Sequence, residues 1–249
     1  MASVRNTLKE YFKAKVIKYL NHKGLTIVTF DSREVQLEKV RNDWLTKNNI
    51  NSIIDVGASD GGFATKARKL FQRAKIYSFE PIPSSYKILT KKFASDKNFK
   101  AFNIALGNTV GQSEFHLHEH VGASSFLRIS DLHIDAHPYT KNCSEIKVAL
   151  DKLDNLIKIE DLTPDILLKL DVQGYEIEVL KGSEELLKHT RYVYSEVCFN
   201  KLYEEQPLFD DIADFLRERG FHIAGVENIA RSTKDGTFLN ADVFFTRNF

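Results

Sequence analysis

The sequence has little cysteine, little net charge and no long apolar run. Its 249 residues include only two cysteines, Cys143 and Cys198, which is too few for a disulfide framework and predicts a reducing, cytoplasmic location. The formal net charge of +1 argues against a nucleic-acid partner bound by bulk electrostatics. No apolar stretch approaches the length needed to span a membrane, and residues 1–20 lack the continuous apolar core of a secretory signal. What remains is an ordinary globular composition.

Internal repeats, low-complexity segments and proline-rich linkers are also missing, which favours one α/β domain. We expect that domain to span residues 49–249 and residues 1–48 to form a helical and strand extension packed on it. Residues 1–23 carry six basic side chains against one acidic side chain, with apolar residues at helical spacing. Such a helix is expected to pack on the domain; a weak contact with an anionic membrane surface is the alternative.

The most informative stretch runs from Ile53 to Phe63. Its apolar start is typical of a buried parallel strand, and the glycine-rich turn after it leads into a helix with Asp60 as the expected N-cap. Gly57 allows a close approach of the backbone to a ligand. A strand, a glycine-rich turn and a helix in this order indicate a nucleotide-type pocket at the carboxyl end of a parallel sheet.

An acidic residue follows the next predicted strand, which ends at Phe79. Glu80 lies about 20 residues after the glycines, where this kind of fold holds a pair of ribose hydroxyls. The glycines, however, are spaced G-x-x-x-G-G, so the pyrophosphate-binding fingerprint G-x-G-x-x-G is absent. A nucleoside without phosphates therefore fits better than a dinucleotide, and S-adenosylmethionine is the common one.

At this point the chain resembles a known family. The segments Asp55–Ala58, Phe79–Pro83 and Lys169–Gly174, with Gly61-Gly62 and Val179–Gly182, are similar to the FkbM family of S-adenosylmethionine-dependent methyltransferases. The resemblance spans about residues 51–221 and implies S-adenosylmethionine as cofactor. On this basis the expected cofactor-binding residues are Asp55, Gly57, Ala58, Asp60, Gly62, Glu80, Pro81, Asn103, Ala105 and Asp171.

The order of predicted strands and helices gives the fold class. Strand–helix alternation predicts an α/β, Rossmann-like sheet of seven mostly parallel strands with helices on both faces and an antiparallel last strand, as the resemblance also implies. Residues 111–150 interrupt this alternation, and we interpret them as an antiparallel insertion that covers the substrate. His116, His118 and His120 share one predicted strand face there, but their linear arrangement is poorly suited to a metal, and no metal is expected.

Methyl transfer to a hydroxyl requires alignment of the reactants and removal of a proton. Candidates for these roles lie at the carboxyl ends of the fourth and fifth core strands: Lys169, Asp171 and Glu196. A lysine in an apolar strand needs a partner, for which Asp171 or Glu196 would serve, and burial can lower its pKa toward that of a base. The pattern does not say which of the three is the base, and an ion pair that only shapes the sheet end remains open.

These observations predict an O-methyltransferase that acts on a hydroxyl-bearing acceptor; the resemblance implies a sugar, a glycan or a glycosylated natural product. One alternative is a non-catalytic module that keeps the fold and binds a glycan or a partner. The other is a nicotinamide-dependent reductase, which the missing dinucleotide glycines disfavour. A DNA or amide methyltransferase is disfavoured because the fourth strand is followed by Asp171–Gly174 rather than by an Asn/Asp-Pro-Pro-aromatic segment.

Overall fold

A computed structural model describes residues 47–248. The chain divides into two compact units, Met1–Lys47 and Asn48–Phe249, and nearly all of the described residues belong to the second. For the extension the sequence predicts the basic helix, a short strand at residues 26–30 and a helix at residues 38–47, and these lie essentially outside the described residues. Its packing on the domain stays a prediction.

The described chain forms ten strands and seven α-helices. The strands are β1 (Ser52–Val56), β2 (Lys75–Phe79), β3 (Phe99–Phe102), β4 (Ala105–Leu106), β5 (Gly111–His118), β6 (Cys143–Asp151), β7 (Ile166–Leu170), β8 (Thr190–Cys198), β9 (His222–Glu227) and β10 (Asn240–Thr246). The helices are α1 (Gly62–Leu70), α2 (Pro83–Lys92), α3 (Asp131–Ala136), α4 (Leu153–Leu156), α5 (Glu176–Lys181), α6 (Glu184–His189) and α7 (Phe209–Arg217).

Seven strands form the main sheet in the order β3-β2-β1-β7-β8-β10-β9. The first five are parallel to one another, and β10 runs antiparallel to both of its neighbours. This confirms the predicted seven-stranded Rossmann-like sheet with an antiparallel last strand. Every residue of β1 and β7 is buried, as expected for central strands covered on both faces.

The order of the strands creates the crevice. The chain moves outward from β1 through β2 to β3, then returns to the other side of β1 with β7 and β8. Right-handed crossovers then place the connecting helices on opposite faces of the sheet. A crevice opens at the carboxyl ends of β1 and β7, where the direction of winding changes, and Gly57 and Asp171 come directly after these two strands.

The insertion folds as a second, three-stranded sheet in the order β4-β6-β5, in which β5 and β6 are antiparallel. The sequence pattern predicts one strand over residues 99–105, but β3 ends at Phe102 and β4 joins this second sheet. Within the insertion, the alternation of residues 125–129 predicts a further strand. These residues instead form only isolated bridges, from Ser125 to His116 and from Ile129 to Tyr203. The polar segment after them contains α3, which the sequence did not indicate.

Two helix predictions were wrong in detail. The sequence predicts one helix over residues 174–188, but the structure has two, α5 and α6, separated at Gly182. Gly182 packs closely on the backbone of Gly107: a Cβ on Gly182 would lie 2.0 Å from the carbonyl oxygen of Gly107. Asp60 is not the N-cap of α1. That position is Gly61 with φ of 83°, a left-handed conformation that favours glycine.

No helix between residues 47 and 248 has the length and apolarity to cross a bilayer.

Gly57 sets the distance between the ends of β1 and β7. It adopts φ of 73°, and a Cβ at this position would lie 1.9 Å from the carbonyl oxygen of Asp171. The backbones after the two strands therefore approach each other at a point where only glycine fits. The same contact brings Asp171 to the mouth of the crevice.

We expect Gly57→Ala to lower the free energy of unfolding by at least about 2 kcal/mol, since it adds a left-handed alanine and a backbone clash. Urea denaturation measures this. The matched control is Gly225→Ala, in the exposed strand β9, where a Cβ meets nothing within 4 Å and the change should stay within about 0.5 kcal/mol. Equal effects of the two substitutions would contradict the steric argument.

Candidate active site

The glycine-rich turn after β1 is held against the end of β2. The amides of Gly57 and Ala58 both donate to the carbonyl oxygen of Phe79, at 3.1 and 3.0 Å. Ser59 comes next with φ of 50°, an uncommon conformation for a residue other than glycine. Its amide donates to Glu80, so the turn and the end of β2 form one rigid unit.

Glu80 is the acidic group of this unit. Its Oε2 accepts from the Ser59 amide at 2.7 Å and its Oε1 from the Ile82 amide at 2.8 Å. The residue is only 4% exposed, and burial raises the pKa of its carboxyl despite these two hydrogen bonds. A carboxylate has about four acceptor positions, so each oxygen keeps capacity for one further donor.

Glu80 belongs to the wall of a cleft. The other walls of the cleft are mostly apolar. They are formed by residues of β1 and β2, by the start of the insertion and by the turn after β7. Polar side chains are a minority of the lining. The lining residues are Val56, Gly57, Ser59, Phe79, Glu80, Pro81, Ile82, Ile104, Ala105, Leu106, Phe115, Val121, Gly122, Ser124, Phe126, Asp171, Val172, Gln173 and Tyr175.

The structure brings half of the predicted cofactor-binding residues together at this cleft: Gly57, Glu80, Pro81, Ala105 and Asp171. The others lie around it. Asp55 and Ala58 are buried and do not line the cleft, and Gly62 is exposed at the start of α1. Asp60 is exposed and pairs with Lys92 at 3.0 Å, while Asn103 donates to the carbonyl oxygens of Glu80 and Pro81. These roles support the loop rather than line the cleft.

Lys169 lies beneath the glycine-rich turn. It is 5% exposed, and its Nζ donates to the carbonyl oxygens of Gly57 at 2.9 Å and Val56 at 3.3 Å. Asp55 and Asp171 are its acidic partners, at 3.3 and 3.6 Å. The sequence predicted the pairing with Asp171 but not the contact with Asp55, which faces Lys169 because the two residues are paired in register across β1 and β7.

The expected lowering of the lysine pKa is wrong. Burial acts to lower the pKa of Lys169, but the carboxylates of Asp171 and Asp55 outweigh it and the pKa is raised. Burial raises the pKa of Asp55, which the ammonium of Lys169 partly offsets. Lys169 therefore stays charged and holds the turn in place, a geometry that does not suit a general base.

Asp171 and Glu196, at the ends of β7 and β8, share one donor. Gln173 Nε2 donates to Asp171 Oδ1 at 2.8 Å and to Glu196 Oε2 at 3.0 Å. The second oxygen of Glu196 accepts from Asn240 at 2.6 Å. Glu196 thus does not pair directly with Lys169, contrary to one of the two expectations, but joins the site through Gln173.

The surroundings of Glu196 are acidic. Burial, followed by the charges of Asp171, Glu176 and Asp242, raises the pKa of Glu196 well above its usual value. Asp242 pairs with Glu196 in register across β8 and β10, and with Glu227 across β10 and β9. A carboxylate in this position is a stronger proton acceptor than an ordinary glutamate.

Tyr194 lies between this acidic row and α1. Its hydroxyl contacts Glu227 Oε1 at 2.7 Å and Asp242 Oδ2 at 3.0 Å. Its ring stacks on Phe63 with centroids 6.1 Å apart, and the Lys169 ammonium lies 5.6 Å from the Phe63 ring. An aromatic surface therefore adjoins the carboxylates.

Sequence reasoning missed three polar residues of the site: Gln173, Glu176 and Tyr203. Gln173 lies inside the segment Lys169–Gly174 that resembles the family, but the sequence predicted no role for it. Its amide follows Asp171 by two residues at a strand end, and this position could have indicated a contact with the aspartate. Glu176 Oε1 accepts from the amides of Val172 and Gly174, which closes the turn after β7. Tyr203 comes from a loop remote in sequence, for which no local signal exists.

The three histidines of the insertion do not share a solvated strand face. His118 is buried, with Nδ1 2.6 Å from the carbonyl oxygen of Thr140, and His116 lies 3.8 Å from Glu145. His120 comes after the end of β5. Among residues 47–248 no cluster of three or more metal-ligating side chains is found.

The match to known families decides the identity. A sequence model described as the methyltransferase FkbM domain matches residues 55–223, which is more than half of the chain. The chain belongs to the FkbM methyltransferase family. It is therefore a methyltransferase, and the reductase and the non-catalytic alternatives lose their support.

Three relatives of this FkbM methyltransferase are informative. It is 28% identical over 200 residues to "2-O-methyltransferase NoeI" of Sinorhizobium fredii, covering 73% of this chain and 79% of that protein. It is 27% identical over 194 residues to "Methyltransferase sdnD" of Sordaria araneosa, covering 69% and 73%. It is also 27% identical over 183 residues to "Hexuronic acid methyltransferase AglP" of Haloferax volcanii, covering 70% of each chain.

Removing the buried ammonium should destabilise the FkbM domain strongly. We expect Lys169→Met to lower the free energy of unfolding at pH 8 by about 3–5 kcal/mol, because Asp55 is left buried without its counter-charge. The loss should be smaller at pH 5, since loss of the ammonium raises the pKa of Asp55 further and protonation then relieves the charge. Denaturant titrations at both pH values measure the difference.

The exposed Lys66→Met serves as the control and should change little. Adding Asp55→Asn to Lys169→Met should restore part of the stability. A double variant no more stable than Lys169→Met would contradict the pairing.

Glu176 should make stability depend on pH. Burial raises the pKa of Glu176 from 4.5 to about 7. Because the folded-state pKa is the higher one, the contribution of Glu176 to stability is greatest below pH 4.5 and falls by about 3 kcal/mol between pH 4.5 and about 7. We expect Glu176→Gln, whose amide oxygen still accepts from Val172 and Gly174, to remove this loss and to be more stable than wild type at pH 8.

The control is Glu178→Gln on the same helix, which removes a partly exposed carboxylate paired with Lys181. If the stability of Glu176→Gln fell with rising pH as steeply as that of the wild type, the loss of stability would come from other groups.

Proposed function

We propose that this FkbM methyltransferase transfers a methyl group from S-adenosylmethionine to a hydroxyl of a saccharide. The acceptor is a sugar, a glycan or a glycosylated natural product. The observation that carries the proposal is Glu80, a buried carboxylate at the end of β2 that lines the cleft and keeps an acceptor position on each oxygen.

The residues at the cleft fit an adenosine sulfonium. Glu80 can accept from two ribose hydroxyls, and Gly57 lines the cleft beside it at the end of β1. Ile82, Ile104 and Ala105 offer an apolar wall suited to an adenine. No pyrophosphate-binding glycine pattern is present, which is consistent with a cofactor that has no phosphates. S-adenosylmethionine, when bound, supplies a methyl group already activated for displacement.

The acceptor class is supported by the relatives. One is named as a 2-O-methyltransferase and another as a hexuronic acid methyltransferase, so oxygen methylation and a sugar acceptor each occur among them. The cleft agrees with an alcohol acceptor, because the carboxylate of Asp171 lines it and could accept a hydroxyl proton.

The roles of the three catalytic candidates differ. Asp171 lines the cleft and is 43% exposed at its side chain, so we assign it as the proton acceptor. Glu196 lies behind it and receives a hydrogen bond from the same amide nitrogen. Lys169 is a positioning residue, since its ammonium is occupied by the carbonyl oxygens of Val56 and Gly57 and by the two aspartates.

Calorimetry with S-adenosylmethionine tests the cofactor. Wild-type protein should bind, and Glu80→Ala should raise the Kd about 10- to 100-fold, because hydrogen bonds to a charged acceptor are lost. Glu185→Ala, an exposed carboxylate on α6, is the control and should leave the Kd unchanged. Wild-type binding of NADH but not of S-adenosylmethionine would overturn the proposal, and full binding by Glu80→Ala would overturn the ribose role.

Release of S-adenosylhomocysteine over a panel of saccharides tests the reaction. We expect turnover with at least one hydroxyl-bearing saccharide, and a fall in kcat of about 10²–10⁴-fold in Asp171→Asn, the range that a general base contributes. Asp210→Asn, exposed on α7, is the control. Undiminished turnover by Asp171→Asn would remove Asp171 from the role of base.

A further inference from the structure

We infer that Gln173 is a positioning residue whose amide nitrogen holds the carboxylates of Asp171 and Glu196 together as one proton-accepting unit. The inference rests on the function proposed above for its catalytic meaning, but the geometry stands independently. Gln173 Nε2 lies 2.8 Å from Asp171 Oδ1 and 3.0 Å from Glu196 Oε2. An amide nitrogen has two hydrogens, so each carboxylate receives one.

The surroundings of the amide fix its orientation. The Tyr203 hydroxyl lies 2.8 Å from Gln173 Oε1 and 3.1 Å from the carbonyl oxygen of Ala123, so its one hydrogen is shared between these two acceptors. Tyr203 is 1% exposed. If the amide were reversed, its oxygen would face two carboxylates, which repel it. The two acids therefore select the orientation in which the amide nitrogen bridges them, and the Tyr203 hydroxyl supports it by donating toward Oε1.

The backbone of Gln173 is held as firmly as its side chain. Its carbonyl oxygen accepts from the hydroxyl of Ser125 at 2.7 Å, and Ser125 is fully buried in the insertion. Gln173 has φ of 56° and the next residue, Gly174, has φ of 96°. A non-glycine residue in this conformation persists only when its surroundings determine it. The insertion thus helps to hold the bridge in place.

The bridge matters because several charged groups surround Glu196. Among residues 47–248, Glu196 is faced by carboxylates from three elements and by one ammonium. Around it lie Asp171 and Lys169 from β7 and its end, Glu176 from α5, Asp242 from β10, Cys198 on its own strand and Tyr203 from the following loop. Without the two N–H groups, Asp171 and Glu196 would repel each other, and one would take up a proton at a higher pH. If one of the two carboxylates is already protonated, the pair is a poor base for the hydroxyl proton of the saccharide.

The first test measures the bridge without cofactor or acceptor. Carbon-13 carboxyl NMR titration of the full chain should show the pKa of Glu196 higher in Gln173→Met than in wild type by about one pH unit, since methionine has similar length but no donor. Tyr203→Phe should give a smaller shift in the same direction, because it only loosens the amide. Gln112→Met, exposed on β5, should leave the Glu196 signal unchanged.

The second test measures the consequence for the reaction. With a saccharide that wild type methylates, the acid limb of the kcat/KM profile should move to higher pH by about the same amount in Gln173→Met. At high pH, where both acids are ionised again, most of the lost rate should return. A merely structural defect would lower the rate equally at all pH values.

The outcomes separate the two proposals. An unchanged Glu196 titration in Gln173→Met overturns the bridge, whatever the enzyme methylates. If the Glu196 titration shifts in Gln173→Met but the wild-type enzyme turns over no saccharide, the bridge is supported and the proposed function is overturned. If Gln173→Met does not fold, Tyr203→Phe carries the NMR test, and an unchanged Glu196 signal in that variant overturns the inference.

Discussion

The site depends on one buried charge, the ammonium of Lys169. It is an isolated positive group in an apolar strand, and a lysine there is stable only if its charge is compensated. Asp55 supplies the counter-charge from the neighbouring strand, and the carbonyl oxygens of Val56 and Gly57 satisfy the remaining N–H groups. The same contacts attach the end of β7 to the glycine-rich turn, so the turn cannot move independently of Asp171.

The candidate site therefore consists of two groups of residues, one at the turn after β1 and one at the turn after β7. On one side are the turn after β1 and Glu80, proposed to bind the nucleoside, with backbone amides holding the carboxylate in place. On the other side the turn after β7 carries Asp171 and Gln173 toward Glu196. The two halves meet where the Gly57 backbone passes the Asp171 carbonyl oxygen, a contact that only a glycine permits. A cofactor and an acceptor bound to the two halves would be held in a fixed relation, which is what a displacement reaction needs.

Much of the fold was predictable because its signals are local. Buried strands, glycine-rich turns and amphipathic helices leave patterns within ten residues, and the alternation of strands and helices restricts the topology. The division of residues 99–105 between two sheets was not predictable, since β4 is too short to leave a pattern and its partner β6 comes some 40 residues later. The same holds for the break between α5 and α6, which reflects contact of Gly182 with Gly107.

By itself, the sequence determined the chemical class of the site: a carboxylate at the end of the second core strand, no pyrophosphate pattern, and a lysine and two acids at neighbouring strand ends. These properties depend on residue type and position along a strand, which the chain order carries. Only the tertiary structure decided the partners. Asp55 rather than Glu196 meets Lys169, and Gln173 and Tyr203 complete the acidic pair. Register across β1 and β7 and the docking of a distant loop set these contacts, and no local pattern encodes either.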